Sequence, residues 1–404
     1  MIYQTLCQEE LKLKKSVIIL FFAIMFVIGT DTFLISPLLP LLQQTFHIKA
    51  GQAGWMVSSY ALGYALFALI AGPLSDRLNR KKVMIAGLAG FAVSTALCSL
   101  AYSFFSMNLF RFAAGVSAAF VTPQVWASIP TLVPKDKILR AMGIATAGLS
   151  ISQLLGLPLG SYLAAIDWRI PFLVIGFLAL LLVAAVWADL PDIVPEQRAD
   201  ISHPRSILKP YFQLLGSSKA ALAFTAYFLF QFGNFAAFSF LGSWLSVSYR
   251  LDVSEIGGVM LFLGLGNTIG SVWGTSLIGR IGAKKALLIG VTINALLYII
   301  LASVSNLTVV KAGLFFIFSI GGTLFPVMIS SLQSLSSTAR GTIAALTNTL
   351  MYLGTTLGAA AAGELFESTG SFLSVAALTF ISFMMFLIIF NTSGVLPKRI
   401  SQQA

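Results

Sequence analysis

Two ionisable side chains interrupt long apolar runs in this 404-residue sequence, and together they can do chemistry. Asp31 sits in Ile28-Gly29-Thr30-Asp31-Thr32-Phe33-Leu34 with no turn signal around it, the only acid well inside an apolar run. A charged Asp at the middle of a membrane helix costs about 2.5–3.5 kcal/mol on insertion scales. Such a carboxyl has to face a cavity, pair with a cation, or hold a proton part of the time. Arg111, left inside another apolar run, is the natural partner. Counting the helical rise, Asp31 lies roughly 15 Å and Arg111 roughly 8 Å below the same membrane boundary, a gap that an Arg side chain closes. The chemistry would be reversible proton binding, set against ion pairing. A purely structural ion pair, or an Arg that caps neighbouring helix ends, is the other reading of these residues.

Other polar or aromatic residues away from the ends of apolar runs are candidates for lining a substrate cavity. They are Gln153, Gln231, Asn234, Asn267, Asn348 and Tyr352, with Tyr60, Gln124, Trp126 and Phe238 behind them. Each is also what an interhelix hydrogen bond or a packing contact would use. Glu364 and Glu367 fall at the end of an apolar run and are expected to be solvated. The sequence offers no nucleophile–base pair, metal cluster or phosphate-binding glycine loop, so no enzyme, metal or cofactor is expected. Cys7 and Cys98 are the only cysteines, one in a polar terminus and one in an apolar run, which implies no disulfide framework.

The elements that position these residues follow from composition. The chain is 57% hydrophobic and 10% charged, against about 25% charged in soluble domains. It reads as an all-α integral membrane protein, since the apolar runs approach the ~20 residues a helical span needs. Twelve segments are expected near 17–41, 53–72, 83–102, 106–129, 142–166, 171–190, 220–246, 256–278, 286–304, 308–333, 342–364 and 371–391. They divide into an N-terminal six-helix bundle over 1–190, a cytoplasmic linker over 191–219 with four prolines, and a C-terminal six-helix bundle over 220–404. No cleavable signal peptide is expected. Placing both termini in the cytoplasm puts 20 of the 25 Lys and Arg inside and 4 outside, with Arg111 left in a span. That bias accounts for the net charge of +11 by membrane topology rather than nucleic acid.

The halves repeat at an offset of 203. Arg77 falls on Arg280, Asn79 on Gly282, Lys81-Lys82 on Lys284-Lys285 and Pro123 on Pro326, while near Arg140 and Arg340 the offset becomes 200. Asp31 falls on Asn234 and Arg111 on Leu314, so the first half carries the titratable pair. If the repeat axis is real, Asp31 and Asn234 face one another across a central cavity.

The basic stretch Gly72-Pro73-Leu74-Ser75-Asp76-Arg77-Leu78-Asn79-Arg80-Lys81-Lys82 resembles the loop between helices 2 and 3 of major facilitator superfamily transporters. Asn79 stands where the family usually has Gly, and Asn tolerates a left-handed backbone best after Gly. The resemblance implies the major facilitator fold and a conformational switch carried by Gly72, Asp76, Arg77, Arg80 and Lys81. Leu109-x-Arg111-x-x-x-Gly115-x-x-Ala118-Ala119 resembles the fourth-helix motif of proton-coupled members, with Ala114 where they usually have Gln. That implies a role in proton coupling for Arg111.

Gly148-x7-Gly156-Leu157-Pro158-Leu159-Gly160 resembles the fifth-helix antiporter motif of drug exporters, and Asp167-Trp168-Arg169-x-Pro171-Phe172 a signature of the same group. Glycines on one face permit close backbone approach, and Pro158 introduces a kink. The likeness is to the twelve-helix drug–proton antiporters, including the sugar- and multidrug-efflux branches. It implies a monomer in the plasma membrane, driven by the proton gradient, that exports small lipophilic or drug-like molecules by alternating access. Proton-coupled uptake or efflux of a sugar, nutrient or metabolite is the alternative on the same fold.

Overall fold

The computed structural model describes residues 2–75, 78–134, 137–194, 209–336 and 340–395. Among them are helices and turns and no strand. Hydrocarbon offers the backbone no partner but itself, so each apolar run closes its hydrogen bonds within a helix. In chain order α1 spans Ile2–Phe46, α2 Ala50–Ser75, α3 Arg80–Cys98 and α4 Phe104–Leu132. One rod follows from α5 (Ile138–Ile151), a π turn (Ser152–Gly156) and α6 (Leu157–Ile166), and α7 (Ile170–Asp189) ends the first half. The short α8 (Lys209–Leu215) belongs to the connector. The second half holds α9 (Ser218–Tyr249), α10 (Val253–Ile281), α11 (Ala283–Leu301), α12 (Leu307–Gln333), α13 (Arg340–Thr369) and α14 (Phe372–Thr392).

Eleven of these rods are long and apolar enough to cross a membrane. The twelfth expected span is α13, which is richer in Thr and Gly. Thr347, Thr355 and Thr356 turn their hydroxyls back to carbonyls four residues earlier. Since α2 and α9 cover it, α13 meets hydrocarbon over less of its surface and tolerates that polarity.

Polar caps start several rods. Ser103 and Ser106 form a capping box on α4, Asp252 and Glu255 on α10, while Asn306 and Ser371 cap α12 and α14. Asn79 caps α3 by accepting the Lys81 N–H. It does so from extended backbone at φ −62°, not from the left-handed region the family glycine suggests. Its counterpart Gly282 does have a positive φ, +85°. The Asn79 amide also donates to Asp192 Oδ1 at 2.6 Å, and the Arg80 N–H to the Ile193 carbonyl at 3.0 Å. The turn before α3 is thereby tied to the segment after α7.

The internal repeat is visible in the rods. Helix starts at 50, 80 and 104 recur at 253, 283 and 307, and the ends at 166 and 369 keep the same offset, so the slip near Arg140 and Arg340 does not propagate. Packing repeats too: α1 on α5, α2 on α4 and α3 on α7 match α9 on α13, α10 on α12 and α11 on α14. Between halves α2 packs on α13, α10 on the π turn and α6, and α1 on α9.

The rods alternate in direction. One end of the bundle carries the basic turns near 80, 140 and 284 (the basic end); the other carries the turns near 48, 168, 250 and 304 (the far end). The halves are joined from the far end to mid-depth. Gly51 N–H donates to Glu367 Oε2 at 2.8 Å, and Lys49 Nζ lies 3.6 Å from Glu367 Oε1. Glu367 is therefore engaged across the halves and not merely solvated. Deeper in, Ser58 donates to the Thr356 carbonyl at 2.6 Å and Ser36 to the Phe238 carbonyl at 2.5 Å. Gly242 lets α9 rest on the Ser36 carbonyl, where a Cβ would overlap the backbone of α1. Toward the basic end, Gly143, Gly279 and Gly341 have open space at the Cβ position.

Candidate functional site

Asp31 and Arg111 meet inside the first half. Arg111 Nη1 donates to Asp31 Oδ2 at 2.8 Å, Nη2 to the Asp31 carbonyl at 3.4 Å, and Nε to the Met56 carbonyl at 3.5 Å. Both side chains are fully buried. Two charges out of water hold only when paired at close range and hydrogen-bonded. The pairing is incomplete: Asp31 Oδ1 has no hydrogen-bond partner. The bond of the carboxyl runs to α4, while Asn234 is half-buried on α9.

Small residues let this meeting occur. Gly115 lies one turn along α4 from Arg111, and a Cβ there would run into the Tyr60 carbonyl of α2. The two helices approach closely enough for the Arg111 guanidinium carbon to sit 4.4 Å from the centre of the Tyr60 ring. A cation over an aromatic face is stabilised by the ring quadrupole, more so when both are dry.

The rod of α5, the π turn and α6 runs beside α1. Gly148 faces the Phe22 carbonyl, Gly156 the Thr30 hydroxyl and Gly160 the Leu34 side chain, each where a Cβ would collide. These three motif glycines thus seat the rod on the helix that carries Asp31. Pro158 has no N–H to give and disfavours an ordinary turn ahead of it. The expected kink takes the form of a π turn, in which the Leu157 N–H reaches the Ser152 carbonyl. The π turn turns Gln153 toward the other half, where the Asn267 amide donates to Gln153 Oε1 at 2.6 Å.

The remaining candidates divide. Tyr352 of α13 stacks on Tyr64 of α2 with ring centres 3.7 Å apart and 21° between planes. Gln231 is buried and donates to the Tyr227 hydroxyl at 2.8 Å on its own helix. Asn234 and Asn348 are half-buried, while Gln124 is fully buried on α4. Of the conformational-switch residues, Asp76 and Arg77 lie outside the described residues, and Gly72 is in the last turns of α2. Arg80 donates to the Ala127 carbonyl of α4 at 2.5 Å, and Lys81 gives its N–H to the Asn79 cap. Sequence reasoning missed Thr32 and Tyr64. Thr32 adjoins Asp31, and Tyr64 lies one turn from Tyr60 on the same face of α2, but neither spacing by itself marks a contact.

A sequence profile described as Major Facilitator Superfamily matches residues 21–359 and again 223–404. The chain is 53% identical to the uncharacterized MFS-type transporter YceJ of Bacillus subtilis (strain 168), over 94% of this chain and 97% of that protein. It is 24% identical to Multidrug resistance protein 2 of the same organism, over 89% and 91% of the two chains. Among solved structures, a bacterial homolog of the human lysosomal transporter Spinster, inward-facing and unoccupied, superposes with a TM-score of 0.72. The identity there is 18%, over 96% of this chain and 99% of that one.

Proposed function

The chain belongs to the major facilitator superfamily and is a multi-pass membrane transporter, and from that premise we propose that it exports small lipophilic or drug-like molecules across the plasma membrane in exchange for protons. The observation that carries this reading is the buried carboxyl of Asp31. One of its oxygens is held by Arg111 and the other has no partner. A dry carboxyl left half-satisfied is poised to change its protonation state, and membrane acids of this kind mark proton and substrate pathways. The likeness to a multidrug resistance protein and the rod of Gly148, Gly156, Pro158 and Gly160 support export and the class of cargo.

We take the basic end as cytoplasmic, because Lys and Arg resist translocation. The far-end seal is then the outer gate, and we take this arrangement as the one that faces the cytoplasm. In this state cargo enters between the halves, past Gln153, Asn267 and Tyr352. The halves then rock, the seal parts, and Asp31 takes a proton at the outer side and loosens from Arg111. Cargo leaves outward, and the return to the inward state releases the proton inside. Binding can shift the two states only by its differential affinity for them, so cargo and proton must each favour one arrangement of the halves.

Everted membrane vesicles carrying the full chain test this. Under an inward-acid gradient, ethidium or a thiogalactoside is added and proton release is read with a pH-sensitive dye. Release on addition of either compound, lost in Asp31→Asn with the protein still in the membrane, is the expected result. Undiminished uphill transport in Asp31→Asn overturns the proposal.

A further inference from the structure

Arg111 and Asp31 lie within one half, yet a proton exchanged there has to alter how the two halves meet. The structure contains a route between the two. Thr32 follows Asp31 on α1 and donates its one hydroxyl hydrogen to the Ile28 carbonyl at 2.8 Å. Its oxygen lies 3.0 Å from the Tyr60 hydroxyl. A hydroxyl has a single hydrogen, so in that contact Tyr60 donates and Thr32 accepts. The Tyr352 ring of α13, from the other half, lies 6.5 Å from the Tyr60 ring, centre to centre. Thr32, one residue from the acid, thus holds the tyrosine that meets the other half ring to ring. Tyr60 carries the Arg111 guanidinium on its ring face, and Tyr352 is stacked on Tyr64 where the two halves adjoin.

We infer that Thr32, Tyr60 and Tyr352 form the coupling element through which the state of the Asp31–Arg111 pair is passed to the α2–α13 seam. They are positioning residues, and the inference rests on the proton-exchange reading above. When the acid releases Arg111, the guanidinium loses its 2.8 Å anchor and its seat on Tyr60 changes. Tyr60 then alters its bond to Thr32, and with it the ring contact that Tyr352 makes. The ionisable groups at the pair are Arg111 from α4, bonded to the acid, Tyr60 from α2, against the Arg111 guanidinium, and Tyr352 from α13, against Tyr60 and Tyr64. Of the other described elements against α1, α7 brings Asp189 to Ser16 near the basic end. Tyr352 is the one of these groups that belongs to the second half.

Spin labels at Leu78→Cys and Ile281→Cys, both exposed near the basic end and one in each half, report the separation of the halves in the full-length protein without any cargo. The parent should show two distance populations whose ratio changes about fivefold or more across a pH titration, the lower range of allosteric coupling. Asp31→Asn should abolish that change. Tyr352→Leu keeps an apolar side chain at the seam and removes the ring contacts with Tyr60 and Tyr64. It should lose most of the pH-driven change while leaving both populations present. Thr32→Val should behave the same way, and Thr32→Ser, which restores a hydroxyl, should recover the parent titration. A parent-like titration in both Tyr352→Leu and Thr32→Val overturns the coupling role alone. Absence of any pH response in the parent overturns the proton reading and the inference with it.

Discussion

At the scale of single residues, the energetics of the site are set by two charges that water does not reach. Removing one member strands the other, which typically costs about 3–5 kcal/mol. Arg111→Met should therefore sharply lower the amount of folded protein and its thermal midpoint. Asp31→Leu with Arg111→Met should recover much of that loss, since a well-packed apolar pair is often neutral or better. A double variant no more stable than Arg111→Met alone, in thermal denaturation in detergent, would show that the pair contributes through shape and not charge. This pair was legible in the sequence because charge is rare in hydrocarbon and expensive there. Thr32 and Tyr64 were not, since hydroxyls and aromatics are common in spans and only the fold decides which of them converge. Glu367 was misread for a similar reason: its partners Lys49 and Gly51 lie more than 300 residues away in the chain.

At the scale of helices, hydropathy located the twelve rods, and the repeat offset predicted where the second set would begin. It could not show that Asn79 would serve as a cap, or that Pro158 would produce a π turn. Both depend on neighbours, Asp192 for the first and α1 for the second. Close approach at glycine also makes a prediction about motion. Gly242 meets α1 at the far-end contact between halves. Gly242→Val adds atoms where the Ser36 carbonyl already sits, while leaving α9 free to form. The variant should insert normally but fail to close the far end. Maleimide labelling of Phe238→Cys, buried in the structure, should then rise from the far side of the membrane. Equal labelling in the two backgrounds would show that α1 and α9 can separate slightly at no functional cost.

At the scale of the whole molecule, the far end is held by an uneven pair of seams. On the α2–α13 side Glu367 presents a carboxylate to the first turn of α2, where the helix dipole favours negative charge. On the α6–α10 side Gly257 rests on Ser161 and Pro158, with no charged contact among the described residues. An exposed charge at a helix start contributes about 0.3–1 kcal/mol. Glu367→Gln should therefore shift the balance toward the far-end-open state by less than about tenfold. The shift should shrink in high salt, where the parent contact is itself screened. Distance measurements between labels at Tyr102 and Val309 read this directly, and a shift that persists unchanged in high salt would argue for packing as its cause.

For the proposed proton exchange, the lopsided inheritance of the two halves would set a limit on performance. Where the first half has its acid and cation, the second has Asn234 and a buried Leu314. Among the described residues there is one such pair per polypeptide, so the exchange proposed above would carry one hydrogen ion per turnover. Across ~150 mV that ion delivers about 3.5 kcal/mol, a concentration ratio of a few hundredfold for an uncharged cargo. Beyond that ratio the same machine would run in reverse and let its cargo back in.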